Sequence, residues 1–175
     1  MPSPGDIRFR PATERDAVIA TTVVIEGFET YRDFAPPGWR PPSRLEEERD
    51  LHLRLGRGDV HSRLALGERT VAGFTSWAPA FTRAEPPAPI PGRAHLSALF
   101  VAPAHWGTGL AADLLAWAVT SMRDSGFTES QLYTPRDHAR ARAFYEREGW
   151  RAASDGALFS PELCLDLVLY LRPLD

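Results

Sequence analysis

Residues 95–115, HLSALFVAPAHWGTGLAADLL, join an apolar strand to a helix through a loop that contains one proline and two glycines. Gly107 and Gly109 carry no Cβ, so the backbone can turn tightly there and bring its N–H groups close to an anion. A helix that begins at about Gly109 adds its own unpaired N–H groups and the positive end of its dipole. This stretch therefore predicts a cradle for a phosphate group. The alternative is a solvent-exposed loop with helix-capping glycines.

The rest of the chain predicts one mixed α/β domain over residues 1–175. Strands are predicted at 6–10, 62–66, 70–77, 94–101, 130–134 and 163–171, and helices at 13–29, 43–57, 109–126 and 138–148. Two helix starts have the spacing of capping boxes, Thr13 with Asp16 and Ser43 with Glu46, and Asp137 is a candidate N-cap for the last helix. Residues 79–93 contain five prolines and predict a loop.

Three strands indicate how the sheet is arranged. Residues 94–101 are almost continuously apolar, as expected for a strand that is covered on both faces. Strand 130–134 follows a helical crossover and should therefore lie parallel to it. Residues 163–171 alternate with a period of two, which predicts a strand. Its edge is a candidate for pairing between two copies of the chain in a homodimer.

Composition excludes several classes of function. All 20 basic residues are arginine, so a P-loop lysine, a Schiff-base lysine and a pyridoxal-phosphate anchor are all absent. The net charge of -3 gives no support for nucleic-acid binding, and small molecules are the expected partners. Lysine and asparagine are both absent, and their codons are AT-rich, so we expect a bacterial genome of high GC content.

The cellular compartment is predicted from features that the sequence lacks. Cys164 is the single cysteine and cannot form an internal disulfide. The chain opens with no signal-like segment, and no apolar run approaches the roughly 20 residues of a membrane span. We therefore expect a cytoplasmic protein without membrane contact.

Residues 106–111, WGTGLA, resemble the acetyl-CoA pyrophosphate loop of the GNAT N-acetyltransferases. That loop reads Gln or Arg, two residues, Gly, one residue, then Gly or Ala. Trp106 departs from the pattern, but backbone N–H groups hold the phosphates in such loops, so the cradle should persist. The resemblance implies that the cofactor contacts come from Trp106, Gly107, Thr108, Gly109, Leu110 and Ala111.

A second segment, 138–150, HARARAFYEREGW, resembles the carboxyl-terminal motif of the same family, which reads Asn, two residues, Ala, two residues, Phe-Tyr-Glu and a Gly-aromatic pair. His138 stands in the Asn position, and Ala141 matches the motif; both are implied to contact pantetheine. The two motifs together imply the GNAT fold, a central mixed sheet of about seven strands flanked by four helices. In that fold, strands four and five are parallel and splay apart.

The resemblance also implies an activity, the transfer of the acetyl group of acetyl-CoA to a primary amine by direct attack in a ternary complex. Strand four would act through the backbone of Leu99, Phe100 and Val101, which holds pantetheine and the developing oxyanion. Tyr145 is implied to be the general acid, since a phenol with a pKa near 10 can protonate a thiolate whose parent pKa is about 8.5. The alternative is that Tyr145 is only a core tyrosine.

The general base and the acceptor site are left with several candidates. His95 stands where many relatives have a basic glutamate, and it is either the base or a structural histidine. Rival bases are Glu26, Glu29 and Tyr31. Residues 26–42 and 77–93 are expected to form the wall of the acceptor site. The aromatic residues in these two segments are Phe28, Tyr31, Phe34, Trp39, Trp77 and Phe81. Each of them is equally a candidate for simple core packing. The predicted substrate contacts within the two segments are Glu26, Phe28, Tyr31 and Trp77.

The predicted acceptor is a small amine with an apolar or aromatic body, although protein N-terminal amines and antibiotic amines remain open. The five histidines show no metal-ligand spacing with the one cysteine, so no metal is predicted. A competing interpretation is a non-catalytic acyl-CoA sensor with the same fold. A dinucleotide-binding domain is rejected because the third glycine and the acidic residue after the next strand are missing.

Overall fold

A mixed sheet of eight strands forms the centre of the structure, a computed structural model that describes residues 7–175. The strands are β1 (Arg8–Pro11), β2 (His61–Leu66), β3 (Val71–Phe81), β4 (Pro89–Val101), β5 (Glu129–Pro135), β6 (Arg151–Ala152), β7 (Leu158–Ser160) and β8 (Leu165–Pro173). The α-helices are α1 (Ala17–Glu29), α2 (Arg44–Leu55), α3 (Leu110–Asp124) and α4 (Ala139–Arg147). The predicted residue 6 of the first strand lies outside the described residues.

The sheet order is β1-β2-β3-β4-β5-β8-β6, with β7 also paired to β8. Strands β4 and β5 are parallel, and the other pairs are antiparallel. The predicted mixed α/β fold is therefore confirmed. Within the described residues there are two strands more than the six placed from the sequence, because the segment between α4 and β8 forms β6 and β7.

Strand β8 is not a free edge, contrary to the expectation that it could pair across a dimer. On one side it pairs with β5 from Leu167 to Pro173, all but its first two residues. On the other side, β7 pairs with Leu165–Leu167 and β6 with Tyr170 and Leu171. Because both rows of backbone hydrogen-bonding groups are occupied within the chain, this strand cannot add another copy at its edge.

The helix starts follow the sequence signals in part. Asp16 accepts a hydrogen bond from the backbone N–H of Thr13 at 2.9 Å, and the predicted capping box is present, followed by a single 3-10 turn before α1. Ser43 does cap α2, but its side chain makes no capping hydrogen bond, so the box predicted with Glu46 does not form. The N-cap of α4 is His138, one residue later than predicted.

The predicted loop at 79–93 is too long: residues 82–88 do form a loop, but β3 continues to Phe81 and β4 already begins at Pro89. These two residues pair with each other across the hairpin. Prolines are tolerated here because the register is irregular between Pro79 and Phe81, and a proline can occupy a strand at such an irregularity without removing a ladder hydrogen bond.

A β-bulge at Ser97 organises the centre of the sheet. Trp77 pairs with Leu96 and Ser76 with Ala98, so Ser97 is an extra residue on β4. Because side chains alternate along a strand, one extra residue reverses which face the following residues occupy. Leu96 packs with α3 and α4, whereas Ala98 packs with α1.

Strands β4 and β5 part immediately before this bulge. Their pairing comprises Arg93, Ala94 and His95 with residues 129–131, and no further pair joins the two strands within residues 7–175. The backbone of β4 beyond His95 is therefore available on this side to something other than β5. The predicted splay of strands four and five is confirmed.

The helices cover the two faces of the sheet and close the ends of this gap. Helices α1 and α2 pack on one face, where Val23, Phe28 and Leu51 belong to one core cluster. Helices α3 and α4 cover the other face, with Leu115 and Tyr145 in a second cluster. The gap between β4 and β5 is thus bounded by helices on both sides of the sheet.

Candidate active site

A cleft of about 700 Å³ occupies the gap between β4 and β5. At one end it is lined by the loop before α3, the first turn of α3 and the inner face of α4. At the other end it is lined by α1, the residues that follow α1, and α2. We call these the glycine end, for residues 105–112 with α4, and the α2 end, for residues 27–31 with Glu47 and Arg54.

The glycine end presents unpaired backbone N–H groups. Gly107 and Gly109 have φ angles of 75° and 89°, a left-handed conformation that favours glycine, and α3 begins directly after them. Within residues 7–175, the N–H groups of these two glycines and of Ala111 and Ala112 have no acceptor. A Cβ placed on either glycine would meet no protein atom within 4 Å, so the space above the loop is open.

Trp106 and Arg140 complete the glycine end. The Trp106 indole donates a hydrogen bond to the carbonyl of Val101 at 2.9 Å, which ties the loop to the end of β4. The Arg140 guanidinium carbon lies 3.3 Å from the centre of the Trp106 ring, a cation–π contact. Thr108 does not line the cleft; its hydroxyl donates to the carbonyl of His105 at 2.7 Å and stabilises the turn. A positive charge therefore stands beside the free N–H groups.

Tyr145 lies in the middle of the cleft. Its side chain is 9% exposed, and within the described residues its hydroxyl has no hydrogen-bond partner. Burial raises the pKa of this phenol above its usual value, with a smaller effect from Tyr31. The hydroxyl therefore stays protonated at neutral pH and is able to donate.

His138 belongs to an aromatic wall on the same side. Its ring stacks on Phe34 with centroids 4.7 Å apart and meets Tyr31 edge-on at 5.2 Å. Burial, together with the charge of Arg140, lowers the pKa of His138 to about 4. The imidazole is therefore neutral at pH 7 and offers one donor and one acceptor, as the amide of the expected Asn would.

His95 occupies the last paired position before β4 and β5 separate. Its Nδ1 atom is buried without a hydrogen-bond partner within residues 7–175, and its side chain does not line the cleft. Burial and, secondarily, the charge of Arg54 lower the pKa of His95 to about 4. The ring is thus neutral at pH 7 and lies behind the cleft wall, not in it.

The α2 end carries an ion pair that the sequence analysis missed. Glu47 and Arg54 both line the cleft, and Arg54 Nη2 donates to Glu47 Oε1 at 3.2 Å. A signal for this pair exists in the sequence, since the two residues lie four positions before and three positions after Leu51, the buried residue of α2. That spacing places all three on one helix face, where charged side chains are unusual.

The chain matches the model of the acetyltransferase (GNAT) family over residues 25–150. It belongs to this family. No curated protein matches its sequence significantly. The matched region contains both sequence motifs and every cleft-lining residue of α3 and α4.

Solved structures of GNAT proteins share the fold along nearly the whole chain. An acetyltransferase from Thermus thermophilus is 22% identical, with a TM-score of 0.72 over 97% of this chain and 98% of its own. The PaiA N-acetyltransferase from Thermoplasma acidophilum, solved with coenzyme A, is 17% identical, with a TM-score of 0.71 over 96% and 99%. The ribosomal-protein-S18-alanine N-acetyltransferase from Escherichia coli is 15% identical, with a TM-score of 0.66 over 97% and 95%.

The residues named from GNAT motifs mostly meet in the cleft. Besides Tyr145, the predicted contacts that line it are Leu99, Phe100, Val101, Trp106, Gly107, Gly109, Leu110, Ala111, His138 and Ala141. From the predicted acceptor wall, Phe28 and Tyr31 also line it. The motifs therefore located one end of the cleft and its centre.

Several predicted acceptor-side residues lie elsewhere. Trp77 is fully buried on the α3 face, where it stacks on His61 and donates to Ser121 at 3.2 Å. Phe81 is exposed near the hairpin end and does not line the cleft. Trp39 donates to the carbonyl of Leu163 at 2.6 Å, which fastens the segment after α1 to the residues before β8.

Two rival bases also lie outside the cleft, and a third has the wrong acidity. Glu26 and Glu29 are exposed and do not line the cleft; Glu29 pairs with Arg32 at 2.6 Å, and this hydrogen bond lowers its pKa. Tyr31 lines the cleft, but burial raises its pKa well above the usual value. A phenol of this kind holds its proton at neutral pH and cannot accept one.

The glycine end fits the pyrophosphate of acetyl-CoA, which GNAT proteins bind. Four unpaired N–H groups, open space above two glycines and one arginine together suit a dianionic group. Within residues 7–175, no cluster of His, Cys, Asp or Glu could hold a metal ion. In the same part of the chain, no helix has the length and apolar character needed to span a membrane.

Proposed function

We propose that this GNAT protein transfers the acetyl group of acetyl-CoA to the primary amine of a small molecule, by direct attack in a ternary complex. The observation that carries the proposal is the single cleft that joins a phosphate cradle to a polar, aromatic-lined end. The hydroxyl of Tyr145 lies between them. Both reactants can therefore be held in one cavity at the same time.

The glycine end would hold the donor. The N–H groups of Gly107, Gly109 and Ala111 would bind the pyrophosphate, with Arg140 beside them. When bound, acetyl-CoA supplies an activated acetyl thioester. At Leu99–Val101, within the described residues, β4 pairs with β3 on one side only, and its backbone groups on the β5 side would hold the pantetheine arm and donate to the thioester oxygen.

Tyr145 is proposed as the general acid. Its phenol is protonated at neutral pH, is free of other hydrogen bonds within the described residues, and faces the cleft. It can therefore donate its proton to the departing sulfur.

His95 is proposed as the base, acting through a water because its side chain lies behind the cleft wall. It is neutral at pH 7, and its Nδ1 has no competing partner in residues 7–175. A pKa of about 4 makes it a weak base, so it would serve an amine that loses its proton as it attacks.

The test is release of free thiol from acetyl-CoA in the presence of a panel of primary amines, with the acetylated product identified by mass. Amine-dependent release that grows with amine concentration is the expected result. A protein that binds acetyl-CoA and releases no thiol with any amine would be an acyl-CoA sensor, and the proposal would be wrong. Thiol release that is independent of amine would indicate thioester hydrolysis instead.

A further inference from the structure

The ion pair at the α2 end is partly withdrawn from water, unlike most charged side chains of the same helix. The Glu47 side chain is 16% exposed and the Arg54 side chain 37%. Other charged side chains of α2, including Glu46, Arg49 and Asp50, are exposed. A partly buried pair costs desolvation free energy, and a fully satisfied hydrogen-bond geometry is needed to offset that cost.

The pair is not satisfied by the chain itself. The single contact between Arg54 Nη2 and Glu47 Oε1 uses one of the five guanidinium N–H donors. Arg54 Nε is buried and has no partner within residues 7–175. Buried polar atoms are rarely left unpaired, so a group from outside the described chain is the natural partner.

The surroundings define what such a group must be. His95 is neutral at pH 7, so the charged groups that line this end, among the described residues, are one carboxylate and one guanidinium in contact. Burial raises the pKa of Glu47, Asp50 adds to this, and Arg54 opposes it. The rings of Phe28 and Tyr31 line the same end, so an apolar body fits next to the charges.

We propose that the acceptor is an amine with a carboxylate on the same or a neighbouring carbon, such as a free α-amino acid. Arg54 would bind the carboxylate, and Glu47 would bind the ammonium group. That group must lose one proton to solvent before its nitrogen attacks the thioester, and a second proton through water to His95 as the amide forms. This inference rests on the proposed acetyl transfer. The charges of Arg54 and Glu47 are in contact at 3.2 Å, so together they suit a zwitterion whose two opposite charges are also close together. A longer diamine would bring a second cation towards Arg54, which is repulsive.

The test compares each standard L-amino acid with its carboxamide and with the amine that lacks the carboxylate, in the thiol-release assay. At least one amino acid should have a kcat/KM about tenfold or more above that of its two derivatives, because each lacks the charged group that Arg54 binds. Arg54→Met should remove this difference, lowering the value for the amino acid to that of the matching amine. Arg54→Lys should restore part of it.

Arg49→Met is the matched control, since Arg49 lies on α2 with an exposed side chain and does not line the cleft. Each variant is first checked for an unchanged melting temperature and an unchanged stabilisation by acetyl-CoA. If amines without a carboxylate, or the carboxamides, are acetylated as fast as every amino acid, this inference is wrong and acetyl transfer stands. If no amine or amino acid releases thiol, the proposed function itself fails and this inference with it.

Discussion

The two ends of the cleft are built from different parts of the polypeptide. At the glycine end, the groups that face the cavity are mainly backbone N–H groups, with Arg140 held on the ring of Trp106. At the α2 end they are side chains, namely the Glu47–Arg54 pair and the ring of Phe28. Ligand contacts at the glycine end therefore depend on backbone conformation, and those at the α2 end depend on which side chains are present.

This difference explains which departures from the family motifs matter. A backbone cradle keeps its N–H groups whatever side chain stands at position 106, so Trp106 can take a new role in fixing the loop and carrying Arg140. At the α2 end, a single substitution changes the charge that a ligand meets. We therefore expect glycine-end variants to alter donor binding, and α2-end variants to alter the choice of acceptor.

The largest expected effect comes from breaking the glycine end with Gly109→Val. A β-branched residue is strained at a φ of 89°, and its side chain would occupy the open space above the loop. At acetyl-CoA a hundredfold above its Kd, the parent should be stabilised by about 2.7 kcal/mol, a rise in melting temperature of roughly 5–10 °C. The variant should show almost none of this rise in a thermal-shift measurement.

Gly126→Val is the matched control for strain. Gly126 has a φ of 88°, also has no atom within 4 Å of a placed Cβ, and follows the far end of α3 outside the cleft. It should lower the melting temperature of the free protein and keep the full rise with acetyl-CoA. An equal rise in Gly109→Val would contradict the backbone cradle.

The next effect concerns the centre of the cleft, where Tyr145→Phe removes one hydroxyl. If this group protonates the leaving sulfur, kcat should fall by about a hundredfold while the stabilisation by acetyl-CoA stays unchanged. Tyr170→Phe is the control: Tyr170 is also buried, but its hydroxyl donates to Glu146 at 2.7 Å and does not line the cleft. Equal kcat values for Tyr145→Phe and the parent would exclude the acid role.

The difference between a backbone site and a side-chain site also explains which parts of the cleft could be predicted from the sequence. The cradle depends on glycines two residues apart at a helix start, a local pattern, so Gly107 and Gly109 were located from sequence. Tyr145, which lines the cleft, was named from sequence because its neighbours form a contiguous motif. The parallel β4–β5 pair was predicted from the helical crossover between the two strands.

At the α2 end, Phe28 and Tyr31 were predicted but the Glu47–Arg54 pair was not, because distant segments form the surroundings of that pair. Glu47 and His95 are about fifty residues apart, and only the packing of α2 on the sheet brings the charge of Arg54 near the imidazole. Trp77 was misplaced for a related reason. An aromatic residue at the right distance along the chain can face either side of its strand, and this one faces α3.

The bulge at Ser97 also escaped prediction. Leu96 and Ala98 lie on opposite faces of the sheet because of the bulge. Since residues 94–101 are mostly apolar on both faces, this change of face cannot be seen in the hydrophobic pattern. The inserted residue is identified only by the register against β3. The position of the cleft along β4 depends on this register, which a periodicity analysis cannot supply.

The smallest effect is expected from a substitution that weakens the packing of the helices at the α2 end and leaves the glycine end unchanged. Asp16 accepts two hydrogen bonds from Arg10 at 2.7 and 2.8 Å and one from the N–H of Thr13, and these fix the turn before α1. That turn also contacts α2, where His52 Nδ1 lies 3.1 Å from the carbonyl of Glu14. Asp16→Asn should therefore weaken the placement of both helices.

The hydrogen bond from Arg10 is the main cause that lowers the pKa of Asp16 from 3.8 to about 2. A lowered carboxyl pKa stabilises the fold at pH values above the unfolded pKa, and that contribution is lost as the pH falls through the folded value. Because the Arg10 side chain is 39% exposed, we expect Asp16→Asn to cost about 1–2 kcal/mol at pH 7. The difference from the parent should shrink between about pH 4 and pH 2 in denaturant unfolding.

Asp59→Asn is the control, because Asp59 forms a similar double hydrogen bond with Arg57 but both side chains are exposed, so the cost should stay below about 0.5 kcal/mol. In the Asp16→Asn protein, the rise in melting temperature with acetyl-CoA should equal that of the parent, and KM for the acceptor should increase a few fold. The turn before α1 packs on α1 and α2 and is hydrogen-bonded to Arg10 of β1. A loss of acetyl-CoA stabilisation would therefore show that the two ends are coupled and are not independent.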